Sequence, residues 1–126
     1  MKYKTVNKEK KNTPYSDAVE IGDFIQFSGM LGLGENGLVD GGVEAETHQI
    51  FKNLKEGLDY YGLDYSNVVK SLVMLKNMDD FPKFNEIYVS YFEEPLPVRS
   101  SFGVTDLAMG GCVEIEFLAH KWKKHT

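Results

Sequence analysis

At 126 residues, 42% of them hydrophobic and with no repeat, linker or composition shift, the chain reads as one domain over 1–126 with a buried core. A formal charge of −5 and a single arginine argue against nucleic-acid binding, which needs clustered cations. One cysteine, Cys112, excludes an internal disulfide, and with neither a signal-like leader nor a membrane-spanning run the expectation is a soluble cytoplasmic protein.

Met1 to Pro14 is polar, and its lysines from Lys2 to Lys11 read as a solvated tail. Ala18 to Ile21 and Phe24 to Met30 read as two strands around Gly22-Asp23, a two-residue turn. In the second strand Phe24, Gln26, Ser28 and Met30 alternate with Ile25, Phe27 and Gly29. Glycine inside a strand marks either a close approach of backbone or ligand, or an ordinary bulge, and the spacing leaves both open at Gly29. Gly32 to Gly42 is glycine-rich but lacks the Gly-Lys-Ser/Thr ending of a phosphate loop, so it reads as a flexible hairpin.

Val43 to Tyr61 is the clearest helix. Val43, Thr47, Ile50, Phe51, Leu54, Leu58 and Tyr61 recur at spacings of three and four, and Gly62 is a natural stop. Glu44 and Glu46 read as first-turn acids that suit the helix dipole. His48 falls on the polar side with no second histidine or cysteine at ligand spacing, so no metal site is expected there. Val68 to Leu75 reads as a strand covered on both sides: Val69, Ser71, Val73 and Leu75 on one, Val68, Leu72 and Met74 on the other. Asp79 or Asp80 caps a second helix, with Pro82 in its first turn and Phe81, Phe84, Ile87, Tyr88 and Tyr91 as its buried stripe. Asn85 sits among them. The tail from Lys121 to Thr126 is basic.

Between Pro95-Leu96-Pro97 and a β-like run lies Arg99, the lone arginine. Fifteen residues on, Glu114 falls in an alternating strand, with Val113, Ile115, Phe117 and Ala119 on one face and Glu114, Glu116 and Leu118 on the other. Arginine donates two parallel hydrogen bonds to a carboxylate, so Arg99 and Glu114 suit an anion-binding acid/base site. Spacing alone favours a plainer arrangement, in which the two simply pair with each other or both are solvated.

PVRSSFGV followed by DLAMGGCVEIEFLA resembles the YjgF/Rid (reactive intermediate deaminase) family signature, P-x-R-S-x-x-x-V then L-P-x-G-A-x-V-E-I-E. FSGMLGLGENGLVDGGVEAETHQIFKNLKEGL and VVKSLVMLKNMDDFPKFNEIYVSYF are similar to its earlier strands and helices, so the likeness runs from about Tyr15 to Lys121. The element order β-β-α-β-α-β-β predicts an α+β fold, and the resemblance makes it chorismate-mutase-like (YjgF-like), a single mixed β-sheet with two helices on one face. Helices on one side leave the apolar residues of the other side open, which marks an interface. The resemblance implies a homotrimer with clefts between subunits.

For the chemistry, the resemblance implies hydrolysis of 2-imino acids and their enamine tautomers to 2-oxo acids and ammonia, without metal or organic cofactor. Arg99 would clamp the substrate carboxylate and Glu114 would hold the attacking water and carry the proton. The Ser101 main chain would fix water or substrate, and Tyr15, Gly29 and Asn85 would line the cleft, some from a neighbouring subunit. Three positions depart from the family: Met30 for glutamine, Ala108 for proline, and Ser101 for the cysteine of some members. Two alternatives are a non-enzymatic regulatory module that binds 2-oxo acids and a ribonuclease or translation inhibitor.

Overall fold

The computed structural model of the chain describes residues 1–4 and 13–122. The strands are β1 (Lys2–Lys4), β2 (Ala18–Ile21), β3 (Phe24–Phe27), β4 (Met30–Leu31), β5 (Leu33–Gly34), β6 (Gly37–Leu38), β7 (Val68–Leu75), β8 (Val98–Gly103) and β9 (Val113–His120). The helices are α1 (Gly42–Tyr60), between β6 and β7, and α2 (Phe81–Val89), between β7 and β8. The main sheet runs β1-β2-β3-β9-β7-β8, and β4 also pairs with β9. Every pairing in it is antiparallel except β7 with β8, which α2 joins by a crossover. The expected α+β fold is observed, with β5 and β6 making the predicted glycine-rich hairpin.

Both helices lie on the sheet face that carries Val73, Leu75, Ile115 and Phe117, all fully buried. Phe51 of α1 is the centre of that core, stacked on Tyr91 at 4.2 Å and edge-on to Phe117 and Tyr88. α1 stops where expected. Gly62 takes φ 71, and the N–H groups of Gly62 and Leu63 return to the carbonyls of Asp59 and Leu58, a Schellman closure. Among the described residues no helix covers the opposite face; Leu72, Met74 and Leu118 are half-buried there, and on β8 Val98 and Phe102 are exposed.

Several details differ from the pattern. Lys2–Lys4, expected in the solvated tail, form an edge strand on β2, with Lys2 opposite Glu20; the backbone edge of β2 outweighs the polar composition. The remainder of that tail, and the end of the basic tail, lie outside the described residues. Phe24 to Met30 is not one strand. Gln26 pairs with Leu118 and Met30 with Ile115, so one extra residue is accommodated around Ser28-Gly29. This bulge turns Met30 away from the Gln26 face and against the core. Ser28 Oγ donates to the Ser16 carbonyl at 2.6 Å, and Gln26 Nε2 donates to the Phe27 and Phe117 carbonyls, which satisfies the interrupted ladder. A second irregularity between Val68 and Lys70 moves Val68 to the core face, where it is fully buried, not beside Leu72 and Met74. At α2 neither aspartate side chain caps. Asn77 accepts from the Asp79 N–H at 2.9 Å and starts a 3₁₀ turn one step earlier.

Candidate functional site

Arg99 lies near the start of β8, an edge strand, directly opposite Ser71 of β7. Neighbours across a ladder share a face, so Arg99 and Ser101 point to the helix side with Ser71 and Val73. Its guanidinium carbon sits 4.8 Å from the Tyr88 ring centre, 5.5 Å from Phe81 and 5.9 Å from Phe84. Among the described residues no carboxylate pairs with it. Asn85 shares a helix face with those three rings, at the spacing 81, 84, 85 and 88. Asn85 Oδ1 and Ser101 Oγ are buried with no hydrogen-bond partner. Buried polar atoms without partners are uncommon and mark places where a ligand or water completes the bonding.

Glu114 occupies the other face. It pairs with Met74 on one side and with Leu31 across the bulge on the other. Gly29 is both the close approach and the bulge that its sequence left open. A Cβ built there overlaps Glu114 Oε2 and lies 3.1 Å from the carboxyl carbon, so a side chain at this position would push the carboxylate out of its present place. Burial pushes the Glu114 carboxyl above the usual range, and the nearby Glu116 charge adds to the rise. Beside them Tyr15, Ser16, Gln26, Ser28 and Glu116 line an open concavity of about 450 Å³. Tyr15 is an exposed residue at the rim of this concavity.

The six predicted residues therefore fall into two groups on opposite faces: Arg99, Ser101 and Asn85 on the helix side, Glu114, Gly29 and Tyr15 on the open side. The sheet between them rules out an Arg99–Glu114 ion pair within one chain.

Glu46 is a residue that its sequence context misassigned. It lies past the first turn of α1, 2% exposed, where its Oε1 accepts the Cys112 N–H at 2.7 Å. A signal was present: Glu46 is three residues after Val43 and four before Ile50, on the apolar face. The bond ties α1 to the loop that leads into Glu114. Burial, first, and the neighbouring Glu46 carboxylate push the Cys112 thiol up, so this cysteine is a poor nucleophile. Glu46→Ala strands that N–H and is expected to cost about 1–3 kcal/mol in a urea titration, whereas Glu46→Gln keeps an acceptor and loses less. Equal losses would show that the carboxylate charge, which both variants lack, matters rather than an acceptor of this shape. In the same loop, at the Ala108 departure, Ala108–Gly110 forms a 3₁₀ turn in which Met109 takes φ 62. Among the described residues no group of three or more histidine, cysteine, aspartate or glutamate side chains could hold a metal ion. No described helix is long and apolar enough to cross a membrane.

A family model described as Endoribonuclease L-PSP matches residues 6–121. A mouse protein named 2-iminobutanoate/2-iminopropanoate deaminase is 46% identical over 108 residues, covering 84% of this chain and 80% of its own. A putative endoribonuclease from Thermotoga maritima superposes with a TM-score of 0.87 at 36% identity, covering 97% of this chain and 99% of its own. The RidA of an Antarctic Psychrobacter species superposes with a TM-score of 0.85 at 33% identity, over 95% of this chain and 98% of its own. The signature around Arg99 and Glu114, the fold that carries it and these matches agree, and the chain belongs to the endoribonuclease L-PSP family, the YjgF/Rid group.

Proposed function

We propose that this protein hydrolyses 2-imino acids such as 2-iminobutanoate and 2-iminopropanoate to 2-oxo acids and ammonia, in a cleft that two neighbouring subunits of a homotrimer share. Curated relatives at 42–46% identity bear the name 2-iminobutanoate/2-iminopropanoate deaminase, which supports a deaminase-type hydrolase. The observation that carries the site is an arginine without a carboxylate partner, next to two buried polar atoms that also lack partners. Such a group is suited to a ligand carboxylate. Its complement, Glu114, lies beyond the sheet, so one chain cannot close the site alone; the uncovered apolar face of that sheet supports a neighbouring copy as the missing half.

In this reading Arg99 donates two hydrogen bonds to the substrate carboxylate. Glu114 accepts a proton from water as the water oxygen bonds to the imine carbon. The proton passes to the nitrogen and leaves a carbinolamine; its hydroxyl then gives up its proton, which Glu114 carries to the amine as the carbon–oxygen double bond forms and the carbon–nitrogen bond breaks, and ammonia and the 2-oxo acid leave. Tyr15 and Gly29 line the Glu114 half, Asn85 and Ser101 the Arg99 half. An imine carbon is already electrophilic, so the step needs orientation and proton transfer with no cofactor. The single cysteine of the chain suits a reducing compartment, which favours a cytoplasmic location. The ribonuclease reading draws on the family description, but one arginine and a net charge of −5 leave little to hold a phosphate backbone.

The direct test is semicarbazide trapping of imines made by a pyridoxal-phosphate dehydratase. Adding this protein is expected to cut the trapped imine and release the 2-oxo acid faster, and an unchanged yield would refute the activity. Light scattering at micromolar concentration is expected to give three times the chain mass. A monodisperse monomer would overturn the shared cleft.

A further inference from the structure

Tyr88 and Ser71 form a buried polar pair that the reaction described above does not use. The Tyr88 hydroxyl donates to Ser71 Oγ at 2.9 Å; Tyr88 is 4% exposed and Ser71 fully buried. Around them the core is apolar, with Val73, Leu75 and Phe84 fully buried. Stability does not account for such a pair, because replacing both partners with apolar groups of the same shape is nearly neutral. Its location does. Ser71 is the residue directly opposite Arg99 in the β7/β8 ladder, and the Tyr88 ring is nearer to the guanidinium than Phe81 or Phe84. The hydroxyl bond therefore fixes the ring to the same rung of the sheet that carries Arg99. Arginine has several rotamers to lose on binding an anion, and stacking on aromatic faces restricts them beforehand. With no carboxylate of its own, the guanidinium keeps its donors available.

We propose that Tyr88, tied to Ser71 and flanked by Phe81 and Phe84, is a positioning residue that holds the Arg99 fork ready for the substrate carboxylate. This rests on the reading of Arg99 as the carboxylate clamp. The cradle acts on binding and leaves proton transfer, which belongs to Glu114 on the other face, untouched.

The experiment measures the Kd for 2-oxobutanoate, the KM and kcat for the imine, and Tm on two variants. Tyr88→Phe keeps the ring and loses the tie to Ser71, so Tm falls and 2-oxobutanoate is expected to bind about threefold more weakly, between the unaltered protein and Tyr88→Leu; unchanged binding would overturn the part given to Ser71. Tyr88→Leu removes the ring, and binding is expected to weaken about tenfold, with KM rising in step and kcat within about twofold. Unchanged affinity in Tyr88→Leu, or equal weakening in both variants that follows Tm, would overturn the proposal. If Tyr88→Leu does not fold, Phe81→Leu at the partly buried rim of the cradle takes its place: about threefold weaker binding is expected, and no change overturns the proposal. Arg99→Ala separates the two readings. If it binds 2-oxobutanoate as well as the unaltered protein, the clamp fails and the cradle with it. If it loses binding while the ring variants do not, the clamp stands and the cradle alone fails.

Discussion

Replacing Glu114 with glutamine is expected to lower imine turnover by about 10²-fold or more, the usual yield of general acid–base help, while 2-oxo acid binding stays near that of the unaltered protein. Glutamine keeps the shape beside Gly29 but cannot accept the proton of water. The variant is also expected to fold at least as stably. The Glu114 carboxyl is raised above its ordinary range by burial, first, and by Glu116. The folded chain therefore binds the Glu114 proton more tightly than the unfolded chain does. Stability falls as pH rises from the unfolded-state value through the raised one, and above that raised value the ionised group carries its full penalty. Glutamine removes that penalty and that slope. Activity needs the ionised form, so the acid limb of kcat/KM is expected above the ordinary carboxylate range in the unaltered protein and absent in Glu114→Gln. An arginine from a neighbouring subunit would pull the limb back down, so its position reports which influence wins. A variant that turns over normally would remove Glu114 from the mechanism.

Replacing Arg99 with lysine keeps the charge and loses the fork. The loss in 2-oxo acid binding is expected to be roughly 1.5–3 kcal/mol, on the order of 10- to 150-fold, with turnover reduced as well. Folding is a separate matter. No described ion pair depends on Arg99, so lysine costs only its ring contacts, and Tm is expected to move little. The Arg99→Lys, Glu114→Gln double variant adds a check. Two groups on opposite faces of one sheet have no direct bond within a chain to share, so their stability effects are expected to add; a double variant whose change in Tm departs from the sum of the two single changes would reveal a structural partnership.

Much of this protein was legible in its residues, because the signals concerned are local. Spacings of three and four place Ile50, Phe51, Leu54 and Leu58 on one helix face, and strict alternation puts Val113, Ile115, Phe117 and Ala119 into the core. The element order implies an α+β sheet with two helices, and the signature around Arg99 and Glu114 points to the family. What the sequence could not decide depends on pairing between distant strands. The bulges at Ser28-Gly29 and beside Val69 shift the register by one residue and turn Met30 and Val68 inward against the alternation, a change that period-two reading cannot anticipate. Glu46 followed the apolar spacing yet read as a dipole-compensating acid, because the N–H that accounts for its burial is 66 residues away. The site itself is the largest such case. Arg99 and Glu114 are fifteen residues apart and looked like one constellation, but β8 pairs in parallel with β7 while β9 pairs antiparallel with it. That register turns Arg99 toward the helices with Ser71 and Glu114 toward the open face with Met74, so the sheet, and not the distance along the chain, separates clamp from base.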